Sequence, residues 1–468
     1  MLFLRNFVLD FIFIFYNRLI YLRQTHLDRK SVRFLFIGYI SIALFGAFVL
    51  QTELMSKKDI SFLDALFTSA SAISMTGLIV KNTAIDFTIY GQIFILLLIQ
   101  IGGLGYMGLG IFFYLLIRMK IGFNERNILK ESLIYPNMEG VVDFLKKIAI
   151  FVFVVEIIGA VLLSLKFALE MPLNEAIWHG FFHSISAFNN AGFTTFETGL
   201  LSYRSDLWVN FVITSLVIIG GIGYFVLLEL YLFRKKRIGS LSLHTKIVLS
   251  ATVILLVLAT VVVFLFEYSN KNSIGEFSLF DKILSSYFIS VNYRTSGFNT
   301  IDLSTLKDAS LFFGSLFMVI GGGPGGTSGG LKVTTVAVLL IYTYWVIKNG
   351  RVRIFNYELS EDTIKKAFVI TVGSIAYMTI CVIIVSLLEE ETRFINVLFE
   401  ISSAFATVGV SVGDGGSLSL CALFGDYSKI IIIVLMISGR IGIFAFLISI
   451  FTQEKEKYIK YPQAKVYL

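Results

Sequence analysis

Four short stretches decide the architecture: Ser71-Ala72-Ile73-Ser74-Met75-Thr76-Gly77-Leu78, Ser186-Ala187-Phe188-Asn189-Asn190-Ala191-Gly192-Phe193, Val291-Asn292-Tyr293-Arg294-Thr295-Ser296-Gly297-Phe298 and Ser403-Ala404-Phe405-Ala406-Thr407-Val408-Gly409-Val410. Each belongs to a Ser/Gly/Phe-rich run too short to span a bilayer, and each ends on one glycine followed by an apolar residue. The glycines recur at roughly 110-residue intervals, and self-similarity at one period marks repeated units. A longer apolar run precedes and follows every one of them. These runs predict outer helices over 34–50 and 88–117, 148–167 and 207–233, 247–266 and 311–347, then 367–388 and 427–451.

Composition agrees with a membrane solvent. Of 468 residues, 56% are hydrophobic and 15% charged, against ~45–50% and ~25% for soluble domains. A soluble enzyme of this size is excluded. The formal net charge of +7 does not point to nucleic acid, because the basic residues cluster between apolar runs, as in Arg234-Lys235-Lys236-Arg237. By the positive-inside rule that pattern puts both termini in the cytoplasm and makes the short segments dip from outside. Acidic residues favour the outer side, which draws cations and disfavours an anion path. The expected fold is an all-α polytopic membrane protein with four membrane–pore–membrane repeats, pseudo-fourfold around one central pore per subunit. The boundaries are a cytoplasmic or interfacial segment at 1–30, repeats at 31–120, 121–238, 239–350 and 351–452, and a cytoplasmic tail at 453–468.

Non-helical backbone at membrane depth survives only where protein or a polar cavity surrounds it. Glycine lets a chain bend so that carbonyl oxygens face an axis and replace the hydration shell of a monovalent cation. The candidate filter is therefore Thr76 and Gly77, Ala191 and Gly192, Ser296 and Gly297, and Val408 and Gly409. The pore helices would aim their negative ends at it. A second special stretch, Gly321-Gly322-Gly323-Pro324-Gly325-Gly326-Thr327-Ser328-Gly329-Gly330-Leu331-Lys332, interrupts the sixth long run and cannot continue a helix. Leu331 between Gly330 and Lys332 spoils a Walker loop, so the stretch reads as a flexible constriction beneath the filter. Arg440, mid-run in the eighth helix, reads as an electrostatic barrier beside the pore, because intramembrane charges are functional by default. Arg294 reads as a brace for the filter against Glu400, and Glu156 as the structural partner of some such group.

Other features carry less. His179 and His183 have metal-ligand spacing but no third ligand nearby, so no metal other than the permeating ion is expected. A membrane enzyme or receptor built on that histidine face would lack acid, base and nucleophile, and no enzymatic activity is expected. Cys381 and Cys421 read as packing residues. Gly102-Gly103-Leu104-Gly105 and Gly220-Gly221-Ile222-Gly223 read as close-packing sites inside continuous helices.

Taken together, the fourfold repeat, single filter glycines, broken sixth helix and late arginine resemble the ion-translocating subunits of Ktr potassium uptake systems, in the Trk/Ktr/HKT superfamily. Further matches are Gln100-Ile101-Gly102-Gly103-Leu104-Gly105, His244-Thr245-Lys246-Ile247 and Ile459-Lys460-Tyr461-Pro462. The resemblance implies a homodimer in the bacterial cell membrane, gated by a cytosolic KtrA-type ring that binds ATP or ADP, with sodium as an activator. It maps the four glycines onto the family's filter, residues 321–332 onto its intramembrane gate and Arg440 onto its pore arginine. Glycine rather than serine at Gly77 implies potassium; the alternative is a sodium-selective or sodium/potassium-symporting member. No cofactor is implied in this chain itself, since nucleotide would act through the partner.

Overall fold

The computed structural model describes residues 27–105, 141–413, 417–443 and 446. The apolar N-terminal stretch, most of the basic loop at 118–147 and the tail at 453–468 lie outside them. Within the described residues the regular elements are helices apart from one hairpin of Arg353–Ile354 (β1) and Tyr357–Glu358 (β2).

The helices come in a recurring order: long, short, then interrupted. First come α1 (Leu27–Leu50), α2 (Phe62–Ser74) and α3 (Ile89–Leu104). Next are α4 (Val141–Phe167), α5 (Leu173–Phe188), α6 (Leu207–Ile222) and α7 (Tyr224–Arg234). Then follow α8 (Leu243–Glu267), α9 (Leu279–Asn292), α10 (Asp308–Met318) and α11 (Val333–Ile347). The last are α12 (Glu361–Leu388), α13 (Phe394–Ala406) and α14 (Asp426–Ile441).

Among the described residues, α4, α8 and α12 are long and apolar enough to cross a bilayer unaided. On α4, Ile150, Phe153, Ile157, Val161 and Leu165 stand exposed at helical spacing, an apolar face suited to an apolar surrounding and not to water. The short helices start on polar caps: Ser61 and Ser278 accept the backbone N–H of Asp64 and Asp281, and these acidic residues suit a helix N-terminus.

The second helices differ from the sequence expectation. Instead of running unbroken through 88–117, 207–233 and 427–451, α3 stops before Gly105, α6 before Gly223 and α14 before Gly442, with φ of 74°, 109° and 99°. At Gly223 the chain turns by 99° into α7. Helix cannot continue through a residue at positive φ, and only glycine takes that conformation cheaply. The glycines just before each break do pack closely: a Cβ at Gly102, Gly220 or Gly439 would collide with the carbonyl oxygen of Ile73, Phe188 or Phe405. Those carbonyls stand four residues before Gly77, Gly192 and Gly409. One short motif thus seats a short helix and breaks the longer helix that supports it.

Packing between units closes on itself. Helix α3 lies against α2 and α5, α6 against α5 and α9, α10 against α13, and α14 against α13 and α2. Ion pairs reinforce two of these seams at the mouths of the short helices. Lys429 at the start of α14 holds Asp64 at 3.0 Å, and Arg393 before α13 holds Asp308 at 2.8 Å.

Candidate ion pathway

The four glycines meet. A Cβ on Gly77 would sit 2.6 Å from the Ala191 carbonyl oxygen, one on Gly192 2.5 Å from Gly297 Cα, and one on Gly297 3.3 Å from the Val408 oxygen. At Gly409 it would strike the Thr76 carbonyl oxygen and stand 2.9 Å from Gly77 Cα. The order of contact, 77 to 192 to 297 to 409 and back, is a closed ring of backbone with no room for side chains. All four glycines have positive φ, between 69° and 92°.

The polypeptide enters the ring in one way each time. Met75, Asn190, Thr295 and Thr407, two residues before each glycine, are left-handed as well, with φ of 57°, 57°, 70° and 52°. A helix that ends in this conformation turns sharply while its last carbonyls stay capped: the N–H groups of Thr76, Ala191 and Val408 return to the carbonyls of Ser71, Ser186 and Ser403. Neighbouring serines pin the result: Ser71 and Ser403 hydroxyls accept the N–H of Gly77 and Gly409, while Ser186 donates to the Phe193 carbonyl. Among the described residues, no donor reaches the carbonyl oxygens of Thr76, Gly77, Ala191, Gly192, Ser296, Gly297, Val408 or Gly409. Buried carbonyls are ordinarily paired. Eight partnerless ones round a closed ring are oxygens of the kind that can replace the water shell of a monovalent cation.

Below the ring lies the glycine-rich stretch, between α10 and α11. Its ends are laced together by Gly321 N–H to Leu331 O at 2.8 Å and Val333 N–H to Gly322 O at 3.0 Å. Its middle crosses to other units. Gly323 and Thr327 donate to the carbonyls of Gly221 and Gly220, and Gly325 accepts from Tyr224. The Thr327 hydroxyl donates to Asn190 Oδ1 at 3.0 Å, and the Gly329 N–H to Thr407 Oγ1 at 2.9 Å. The loop therefore bonds two of the four residues just under the ring. Lys332 turns back onto the Ser328 carbonyl at 2.5 Å. The remaining loop residues complete the turn: Gly326 packs on the Gly220 and Gly221 carbonyls, Gly330 on Ala406, and Pro324 on Gly223.

Arg440 clamps this arrangement. It occupies the last turn of α14 rather than the middle of a span. One guanidinium nitrogen donates to Gly326 and Thr327 carbonyls at 3.2 and 2.7 Å, the other to Gly102 O at 2.8 Å. The loop is thereby tied to the end of α3.

The remaining charges differ from expectation. Arg294 does not meet Glu400; its nearest acceptor is the Thr252 carbonyl at 3.4 Å, and its Nε has no partner. Glu400 is held by Ser411, by the Val412 N–H at 3.2 Å and by the Cys421 thiol at 3.1 Å. Cys421, in a buried 3-10 turn, is thus a donor as well as a packing residue, whereas Cys381 packs within α12. Glu156 has no cationic partner among the described residues. It accepts from Asn189 at 2.9 Å and Gln100 at 3.2 Å, and so joins α4 to α5 and α3. Glu156→Ala would strand the Gln100 amide, while Asn189 keeps Gln100 Oε1 and the Ile185 carbonyl as acceptors, and a buried unsatisfied donor costs about 1–3 kcal/mol. The expected result is a lower Tm in detergent with Glu156→Gln intermediate; a Tm equal to the parent's would refute the role. On α5, His183 uses both ring nitrogens, on the His179 carbonyl at 2.7 Å and Thr194 at 2.8 Å, and His179 meets Thr195 at 2.6 Å.

Two residues at the ring, Asn190 and Thr407, escape sequence reading. Their bonds to Thr327 and Gly329 of the glycine-rich stretch single them out, and nothing in residue type announces such partners or a left-handed backbone for a threonine.

Comparison with known proteins agrees in scope. The family described as "TrkH: Cation transport protein" matches residues 4–461. The Ktr system potassium uptake protein B of Bacillus subtilis is 37% identical over 445 residues, 94% of this chain and 98% of that protein. The potassium/sodium uptake protein NtpJ of Enterococcus hirae is 33% identical over 447 residues, 94% and 97% of the two chains. The crystal structure of the potassium transporter TrkH from Vibrio parahaemolyticus superposes with a TM-score of 0.73 at 18% identity, covering 92% of this chain and 86% of that one.

Proposed function

The chain belongs to the TrkH family of cation transport proteins, and from that premise we propose that it is a potassium uptake pore without covalent chemistry. The observation that carries this reading is the ring of four touching glycines with eight partnerless carbonyls. In this reading the helices form four pseudo-fourfold membrane–pore–membrane units, bounded at 31–120, 121–238, 239–350 and 351–452, with both termini in the cytoplasm of a bacterial cell. Potassium sheds water onto the carbonyls and is drawn inward by the membrane potential, worth ~2.3 kcal/mol per charge per 100 mV. The stretch 321–332, tied by Arg440, limits flow below. Two such chains pair, and a cytosolic KtrA-type ring loaded with ATP or ADP moves the gate, with sodium as a stimulant. The B-type naming of the Bacillus relative supports a multi-component system.

A second reading keeps the fold and admits sodium, favoured by the potassium/sodium naming of the Enterococcus relative. Uptake of potassium, rubidium and sodium in a transport-deficient cell separates the two, with the chain expressed alone and then with a KtrA-type partner. Potassium and rubidium uptake that rises with the partner is the expected result; sodium uptake indifferent to it would give the second reading precedence. Gly77→Ser adds a side chain where φ is +92° and the Ala191 oxygen stands 2.6 Å away. It should weaken discrimination against sodium, because the carbonyls beside it must shift to admit the side chain. Unchanged affinities for both ions would remove Gly77 from the filter.

A further inference from the structure

Two of the residues under the ring are β-branched and left-handed, Thr295 and Thr407. Such a backbone is disfavoured for threonine and persists only where surroundings hold it. The holders are visible. Asn190 Nδ2 donates to the Thr295 carbonyl at 2.6 Å and to its hydroxyl at 3.0 Å. Thr407 is held by the Gly329 N–H, which belongs to the glycine-rich loop. Asn190 is in turn held by Thr327 of the same loop. Three of the four residues that shape the ring therefore lean, directly or through one amide, on a segment without helix of its own.

We propose that the loop 321–332 sets the geometry of the filter as well as the width of the path, with Asn190 and Thr407 as the positioning residues that carry the coupling. This rests on the reading of the loop as a gate. With the loop in place, Thr407 and Thr295 stay left-handed and the ring stays narrow enough to rank cations by the cost of dehydration. When the loop withdraws, Thr407 loses its partner and Asn190 loses one of two. The strained residues then relax toward ordinary backbone, and the carbonyl ring slackens. Ion preference is thus a property of the loop's position and not of the ring alone.

The test measures potassium and sodium uptake in the same cells, normalised to protein in the membrane. Thr407→Val keeps the shape and removes the acceptor for Gly329; Thr327→Val removes the donor to Asn190. Each should raise total flux and lower the potassium-to-sodium preference about threefold to tenfold, the weight of one hydrogen bond. Thr407→Ser, which keeps the hydroxyl, should restore the parent preference. Deletion of 325–329 should raise flux and lower preference further. Raised flux with parental preference in both valine variants would overturn the coupling while leaving the gate intact. Unchanged flux in a correctly inserted deletion would overturn the gate, and the coupling with it.

Discussion

Gly192→Ala should bring potassium uptake close to background while the protein still reaches the membrane. The added carbon would stand 2.5 Å from Gly297 Cα, backbone against backbone, where φ is +69°. Overpacking costs about 1–3 kcal/mol and a left-handed alanine about 1–2 kcal/mol. Neither can be relieved by a rotamer change, so the ring itself must open or shift. Selection among cations depends on carbonyl positions, and uptake should fall by about tenfold at least. Gly105→Ala is the control: φ there is +74°, yet among the described residues no atom lies within 4 Å of the added carbon. It carries the backbone cost alone and should transport nearly as the parent does. Equal uptake from both variants would mean that the ring at Gly192 is not on the ion path.

Arg440→Gln should act in the opposite direction and raise potassium flux through the chain expressed without a partner. Arg440 donates to three carbonyls, two in the loop and one at the end of α3. Hydrogen bonds from charged groups contribute about 1.5–3 kcal/mol each, so losing even one shifts the balance between seated and withdrawn loop by about tenfold or more. Arg440→Lys separates two ways the arginine could restrict flow. Lysine keeps the charge but not the planar fork that reaches carbonyls on both sides. If charge beside the path is what limits cations, lysine should hold flux at the parent level; if the tie is what matters, lysine should behave as glutamine does. Flux unchanged in Arg440→Gln, at equal protein in the membrane, would refute both.

Much of the architecture was legible because it rests on local properties of the chain. Long apolar runs, short serine-capped segments and the glycine run at 321–332 each dictate backbone shape from their own composition. Where local reading fell short, the cause was also physical. Gly-Gly-x-Gly looked like a packing motif in a continuous helix, yet its last glycine adopts positive φ and ends α3 and α6. A sequence does not display φ, and glycine is compatible with both outcomes.

Charge pairing was the other failure. Arg294 and Glu400 are each buried near the ring, and a pairing between them was reasonable on depth alone. They belong to different units, and packing gave Arg294 a backbone carbonyl and Glu400 a serine, an amide and a thiol.

The sequence by itself determined the repeat, the helix break at 321–332, and the residue types available at the ring, because sterics and hydrophobicity act within a few residues of one another. Only the tertiary structure decided that the glycines of four distant segments touch in cyclic order, that Arg440 ties the loop to α3, and that Thr407 and Asn190 lean on that loop. Those contacts join residues up to 338 positions apart, and no property of a single segment specifies which carbonyl will stand within reach once all the helices have packed.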